Sequence, residues 1–139
     1  MTISEAIEAF KKASEMDGYE YCKDIAKHWQ RVANTPIRNA GTLAGNLMLK
    51  HAHREFPSDV FLLLETIGAT LTIGIKFTNY LSLRLVAINT QSLPASAPNL
   101  QKTYSIQEFL KLNMAGNVVY SIMFPALKDH HFRSFKVNI

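Results

Sequence analysis

Apolar residues recur along the first third of the chain at helical intervals. Ile3, Ile7 and Phe10 share one face, Thr2 and Glu5 stand ahead of them at capping-box spacing, and Asp17-Gly18 stops the pattern. The spacing predicts a first helix. Cys22, Ile25, Trp29 and Val32 step by three and four residues and predict a second, with Pro36 ending whatever remains helical. The texture then changes. Arg38-Asn39-Ala40-Gly41-Thr42-Leu43-Ala44-Gly45-Asn46 is small and polar and gives way to apolar Leu47-Met48-Leu49, which reads as a turn entering a strand. Pro57 and Asp59 open the run Val60 to Leu64, closed by Gly68, as expected of a short helix with proline and an acid in its first turn. Ala69, Leu71 and Ile73 alternate with Thr70 and Thr72, the period of a half-buried strand.

From Gly74 to Lys102 no period persists. An apolar patch from Tyr80 to Ile88 runs into Gln91-Ser92-Leu93-Pro94-Ala95-Ser96-Ala97-Pro98, and the whole stretch reads as a loop. Order resumes where Ser105 and Glu108 form a second capping box before Phe109, Leu110 and Leu112, and Val118 to Phe124 reads as a buried strand.

Composition narrows the function classes. A chain of 139 residues, 47% apolar, suits one domain or a large part of one. Net charge is +4, but the fifteen Lys and Arg are scattered without a basic stripe, which argues against a nucleic-acid partner. Cys22 is the only cysteine, so the chain holds neither an internal disulfide nor a multi-cysteine zinc or iron–sulfur site. The start lacks the blocks of a secretory signal and no run approaches a membrane span, so a cytoplasmic location with no membrane partner is expected. His51 and His53 would share one face of a strand, and His130-His131 adds two imidazoles, but no Cys or Glu pattern completes a metal site. Asp24 and Lys27 read as a solvated helical pair. No nucleophile-and-base arrangement can be assembled, so no catalytic residue is expected.

One segment carries chemistry. Gly41 and Gly45, four apart, let backbone amides approach an anion without an intervening side chain, and Asn46 adds an amide that donates or accepts. Taken alone the signal is weak, since GxGxxG and GxxxxGK[ST] are both absent. The longer string is more specific: Pro36-Ile37-Arg38-Asn39-Ala40-Gly41-Thr42-Leu43-Ala44-Gly45-Asn46-Leu47, then Phe56-Pro57-Ser58-Asp59-Val60, then Gly68-Ala69-Thr70-Leu71-Thr72. It resembles the flavin (FAD)-binding domain of the xanthine dehydrogenase and aldehyde oxidase family of molybdenum hydroxylases. There an "IRN-x-x-(T/S)-(L/I/V)-(G/A)-GN" turn precedes "P-x-(S/A)-D" and an "A-x-L-(T/V)-(I/L/V)" strand. Leu47-Met48-Leu49-Lys50-His51 and Glu55-Phe56-Pro57-Ser58-Asp59 are most similar to the insect aldehyde-oxidase branch.

The resemblance runs through residues 1–73 and resumes over 104–139, leaving 74–103 as an unmatched insertion or loop. It implies an α/β (α+β) fold: much of the second subdomain of the family's bipartite FAD-binding domain, an antiparallel sheet with flanking helices. It also implies FAD contacts at Val32, Thr42, Leu43, Ala44, Gly45, Asn46, Asp59, Val119 and Lys136. Thr42 to Asn46 would lie along the diphosphate and ribityl chain, and Asp59 would accept from ribityl or ribose hydroxyls. Val32 and Val119 would wall the cofactor, and Lys136 would bring a cation near the isoalloxazine carbonyls or the phosphates.

The family's second glycine-rich loop, "(L/V)-(V/I)-x-GNT-x-x-G", does not occur in these residues. Molybdopterin and the 2Fe-2S clusters are expected only in the full-length family enzyme, which is homodimeric. The resemblance therefore implies the FAD-binding portion of an oxidoreductase that passes electrons to NAD or dioxygen. An incomplete, inactive fragment, or an interaction module retaining the subdomain fold, is the alternative.

Overall fold

The computed structural model describes residues 1–75 and 101–136. The chain divides into two compact units, Met1–Ala69 with Phe124–Ile139, and Thr70–Met123. Most of the loop expected between Gly74 and Lys102 lies outside the described residues; its edges, Gly74 and Gln101-Lys102, are strand.

The first unit is helical. Helix α1 (Ile3–Ala13) starts at a full capping box, with Thr2 accepting from the Glu5 amide and Glu5 accepting from the Thr2 amide at 2.6 Å. Its buried stripe, Ile3, Ala6, Ile7 and Phe10, follows the sequence pattern. Helix α2 (Cys22–Trp29) ends at a Gln30 cap, so Val32 lies beyond it, in the turn that follows. Phe10 meets Trp29 with ring centroids 5.0 Å apart and Phe124 edge-on at 4.7 Å, knitting α1, α2 and the returning C-terminal segment into one core.

Pro36 begins a helix rather than ending one. It stands in the first turn of α3 (Thr35–Ala40), where a missing N–H costs nothing, and Asn34 caps that turn by accepting from Ile37. The strand expected after Asn46 is also a helix, α4 (Leu43–Ala52). The Thr42 hydroxyl accepts from the Gly45 amide at 2.9 Å, which nucleates helical geometry through the very residues that read as a turn. His51 is therefore helical and His53 is the cap of α4, so the two do not share a strand face. Helix α5 (Asp59–Thr66) begins at Ser58 and ends as expected at Gly68, whose φ of 69° lets the Ala69 amide reach back to Leu64 at 2.9 Å.

The second unit is a three-stranded antiparallel sheet in the order β2-β1-β3. Strand β1 (Thr70–Ile75) is central, with Leu71 and Ile73 buried as their alternation predicts. Strand β2 (Gln101–Ser105) feeds α6 (Ile106–Lys111) through the Ser105–Glu108 capping box, and Ile106 and Phe109 are buried. Strand β3 (Asn117–Met123) exists but is not the buried strand expected. A bulge at Thr72/Ile73 shifts its register, among the described residues it pairs only with β1, and Tyr120 and Met123 are exposed.

Among the described residues no helix is long and apolar enough to cross a membrane.

The helical state of residues 43–52 makes a quantitative prediction. Leu47 and Leu49 would share a face in a strand, but in α4 Leu47 is fully buried and Leu49 is 44% exposed. Leu47→Ala should cost about 3 kcal/mol in denaturant unfolding and Leu49→Ala less than about 1 kcal/mol. Equal losses would restore the strand.

Candidate functional site

The expected flavin residues of the first unit gather around the beginnings of α4 and α5. Thr42 is the α4 cap and is itself pinned in place, because Thr2 and Thr42 form an antiparallel bridge in which the Ile3 amide donates to the Gly41 carbonyl at 2.8 Å. Both helix caps, Thr2 and Thr42, thus sit on one two-stranded tie. Leu43 is buried, so whatever it offers a ligand it offers through its main chain. Gly45 faces solvent. A Cβ there would meet the Thr42 hydroxyl at 2.9 Å, crowding the atom that caps the helix.

Asn46 connects this end of α4 to α5. Its Oδ1 accepts from the Ser58 hydroxyl at 2.5 Å, leaving the Nδ2 group as the donor end of the side chain. Ser58 also accepts from the Phe61 amide at 2.9 Å, so one buried hydroxyl both caps α5 and holds Asn46. Asp59 follows as the first residue of α5, where the helix dipole favours its negative charge. Its carboxylate pairs with Lys136, bringing two of the expected site residues into direct contact, and lies 3.6 Å from the His28 Nε2.

Val32 is half-buried in the turn after α2, and its carbonyl accepts from Arg38 at 2.8 Å. The arginine of the Arg38-Asn39 motif therefore braces the chain next to Val32, and Asn39 accepts from Ser4 at 2.5 Å. Val119 belongs to the second unit, on β3 opposite Ile73. Asp24 is not the solvated partner of Lys27: its carboxylate accepts from Arg133 at 3.0 Å. His28 went unnoticed in the sequence, although three residues after Ile25 it falls on the apolar stripe of α2, and Ser58, quoted there only as part of a motif, holds the cap position of α5. Among the described residues no group of three His, Cys, Asp or Glu is placed to hold a metal.

As a donor set this arrangement suits a dinucleotide. Main-chain amides at a helix start serve a diphosphate, and Asn46, Asp59 and Lys136 offer donors, an acceptor and a cation for hydroxyl and carbonyl groups.

Residues 2–76 match the family described as FAD binding domain in molybdopterin dehydrogenase. The chain is also similar to abscisic-aldehyde oxidase of Arabidopsis thaliana, 41% identical over 71 residues, which is 51% of this chain and 5% of that protein. Indole-3-acetaldehyde oxidase of the same plant is 36% identical over 73 residues, 52% of this chain and 5% of that protein. Probable aldehyde oxidase 2 of Oryza sativa subsp. japonica is 33% identical over 75 residues, 54% of this chain and 5% of that protein. The chain thus spans about 5% of the length of these curated relatives.

Behind the site, Cys22 is buried against Tyr21, whose hydroxyl donates to the Pro125 carbonyl at 2.9 Å. Burial pushes the Tyr21 phenol well above its ordinary range and the Cys22 thiol up to about 11. The thiol should therefore react with a disulfide reagent at pH 8 at least about a hundredfold more slowly than free cysteine, and at the ordinary rate once the chain is unfolded. Its ionisation in the unfolded chain begins at lower pH than in the folded one. Folding stability should then fall as pH rises toward 11, and Cys22→Ala should flatten that slope. Fast native labelling would show that the α2 core is open.

Proposed function

Because this chain belongs to the family of FAD-binding domains of molybdopterin dehydrogenases, we propose that it supplies the α4 and α5 side of the cofactor site in an aldehyde oxidase or xanthine dehydrogenase type oxidoreductase. The observation that carries this reading is the Asn46–Ser58 bond. It couples the start of α4, where the Thr42 hydroxyl caps the Gly45 amide, to the start of α5, where Asp59 holds Lys136.

In this reading the Ala44 amide and the Thr42 hydroxyl receive the diphosphate, and Gly45, whose own amide already donates to that hydroxyl, admits the approach because it carries no side chain. Asn46 Nδ2 donates to a ribityl oxygen, and Asp59 accepts from a ribityl or ribose hydroxyl while Lys136 balances its charge. Leu43 keeps the turn anchored in the core, and Val32 and Val119 are the apolar walls. FAD, when bound, takes up an electron pair and releases it to NAD or dioxygen. The protein's own part is positioning and electrostatics. The similarity to three plant aldehyde oxidases supports an aldehyde as the substrate class of the whole enzyme. Cytoplasmic location, a homodimeric parent and the absence of nucleic-acid or membrane partners belong to the same reading, supported by the scattered charge and the lone cysteine.

Two outcomes are expected. The 139 residues alone should not retain FAD through gel filtration, because one glycine-rich loop of the family pattern is not among them. A chimera that adds that loop from a relative should retain close to one flavin per chain. Gly45→Val in the chimera should reduce retention at least about tenfold by filling the approach to the α4 amides. Full retention by the variant would displace the diphosphate from this turn.

Assayed alone with aldehydes and NAD, dioxygen or an artificial acceptor, the chain should show no turnover above background, since one thiol cannot ligate an iron–sulfur cluster. Activity that survives repurification and disappears with Asp59→Ala would contradict the reading.

A further inference from the structure

A cavity at the C-terminal end of α2 shares only Lys136 with the flavin assignments. It measures about 110 Å³ and is lined by Asp24, Lys27, His28, Arg31, Ser134 and Lys136, all within the first unit. Its carboxylate and one of its cations are already engaged, Asp24 by Arg133 and Lys136 by Asp59. Among the described residues neither Lys27 nor Arg31 forms an ion pair. Lys27 stands in the last turn of α2 and Arg31 in the turn just beyond it, and both line the cavity, where like charges repel unless an anion lies between them.

Basic residues at the end of a helix complement its dipole, and that accounts for Lys27. It does not account for His28. That side chain is only 7% exposed, its Nε2 has no hydrogen-bond partner, and the nearest carboxylate oxygen, Asp59 Oδ1, is beyond hydrogen-bond reach at 3.6 Å. A buried ring nitrogen in that state is costly, and an oxygen brought in by a ligand relieves it.

We propose that this pocket binds a phosphate group, carried by inorganic phosphate or by a phosphate ester other than the flavin. Lys27 and Arg31 supply two positive charges, matching a phosphate dianion where a carboxylate would leave one unmet. His28 lines the cavity beside them, and Ser134 adds a hydroxyl. The cavity has room for one tetrahedral oxyanion. Lys136 lines the pocket and also holds Asp59, so the phosphate site abuts the proposed flavin set without being part of it.

The test is titration of the full 139-residue chain with inorganic phosphate at constant ionic strength, reading the His28 ring resonances by NMR with chloride as the control. Phosphate should shift them saturably and chloride should not. The double variant Lys27→Ala, Arg31→Ala changes only exposed side chains and should keep the native melting curve while weakening phosphate at least about tenfold. Identical shifts with both salts, or unchanged affinity in the variant, would overturn the proposal. A third arm adds FAD to the phosphate-saturated chain at a concentration at which the α4 amide resonances shift, so that FAD is known to be bound. Phosphate that stays bound supports a separate site, whereas complete competitive displacement would make the pocket part of the flavin site and refute it.

Discussion

The hydroxyl of Ser58 is the hinge on which the proposed site turns. It is buried, accepts from Phe61 to start α5, and donates to Asn46 three residues into α4. A buried hydroxyl must satisfy its hydrogen bonds, so these two helix starts cannot drift apart without leaving a polar atom stranded, at a cost of about 1–3 kcal/mol. Asp59 is held in place as the next residue, and Lys136 follows Asp59 because a carboxylate that is largely buried holds a cation close. The second tie, between Thr2 and Thr42, fixes the other end of the same turn by pairing the chain's first residues with those that cap α4. Local capping chemistry and two long-range ties thus place a set of donors that no single helix would present.

Much of this was legible in the sequence, and the reasons differ by element. Both capping boxes, the stripe of α1, the Gly68 stop and the alternation of β1 are local signals that tertiary structure had no cause to override. The stretch from Thr42 to Leu49 misled because two glycines close to an apolar triplet look like a turn and a strand. What decides the matter is the Thr42 hydroxyl bonding three residues ahead, an interaction that residue types permit but do not announce. The exposure of β3 was invisible for another reason: its bulge and its edge position depend on which strands pair with it. Of the site, the motif residues were named from family resemblance. The contacts that hold them, Ser58 to Asn46 and Arg38 to the Val32 carbonyl, emerge only from the structure.

The surface around Asp59 also has a division of labour. On the α4 side the groups are main-chain amides and a carboxamide, suited to a long, multiply hydrogen-bonded ligand. On the α2 side they are exposed cations beside a buried imidazole, suited to a compact charge. Lys136 stands between the two, and its pairing with Asp59 makes the carboxylate the common reference for both.

The flavin placement is tested most directly by mapping backbone amide resonances of the chain as FAD is added, since weak binding suffices for such a map. The largest shifts should fall on Ala44, Gly45 and Asn46 at the start of α4, with a second group at Asp59 and Lys136. Shifts confined to Lys27, Arg31 and Ser134, with the α4 amides unmoved, would contradict it.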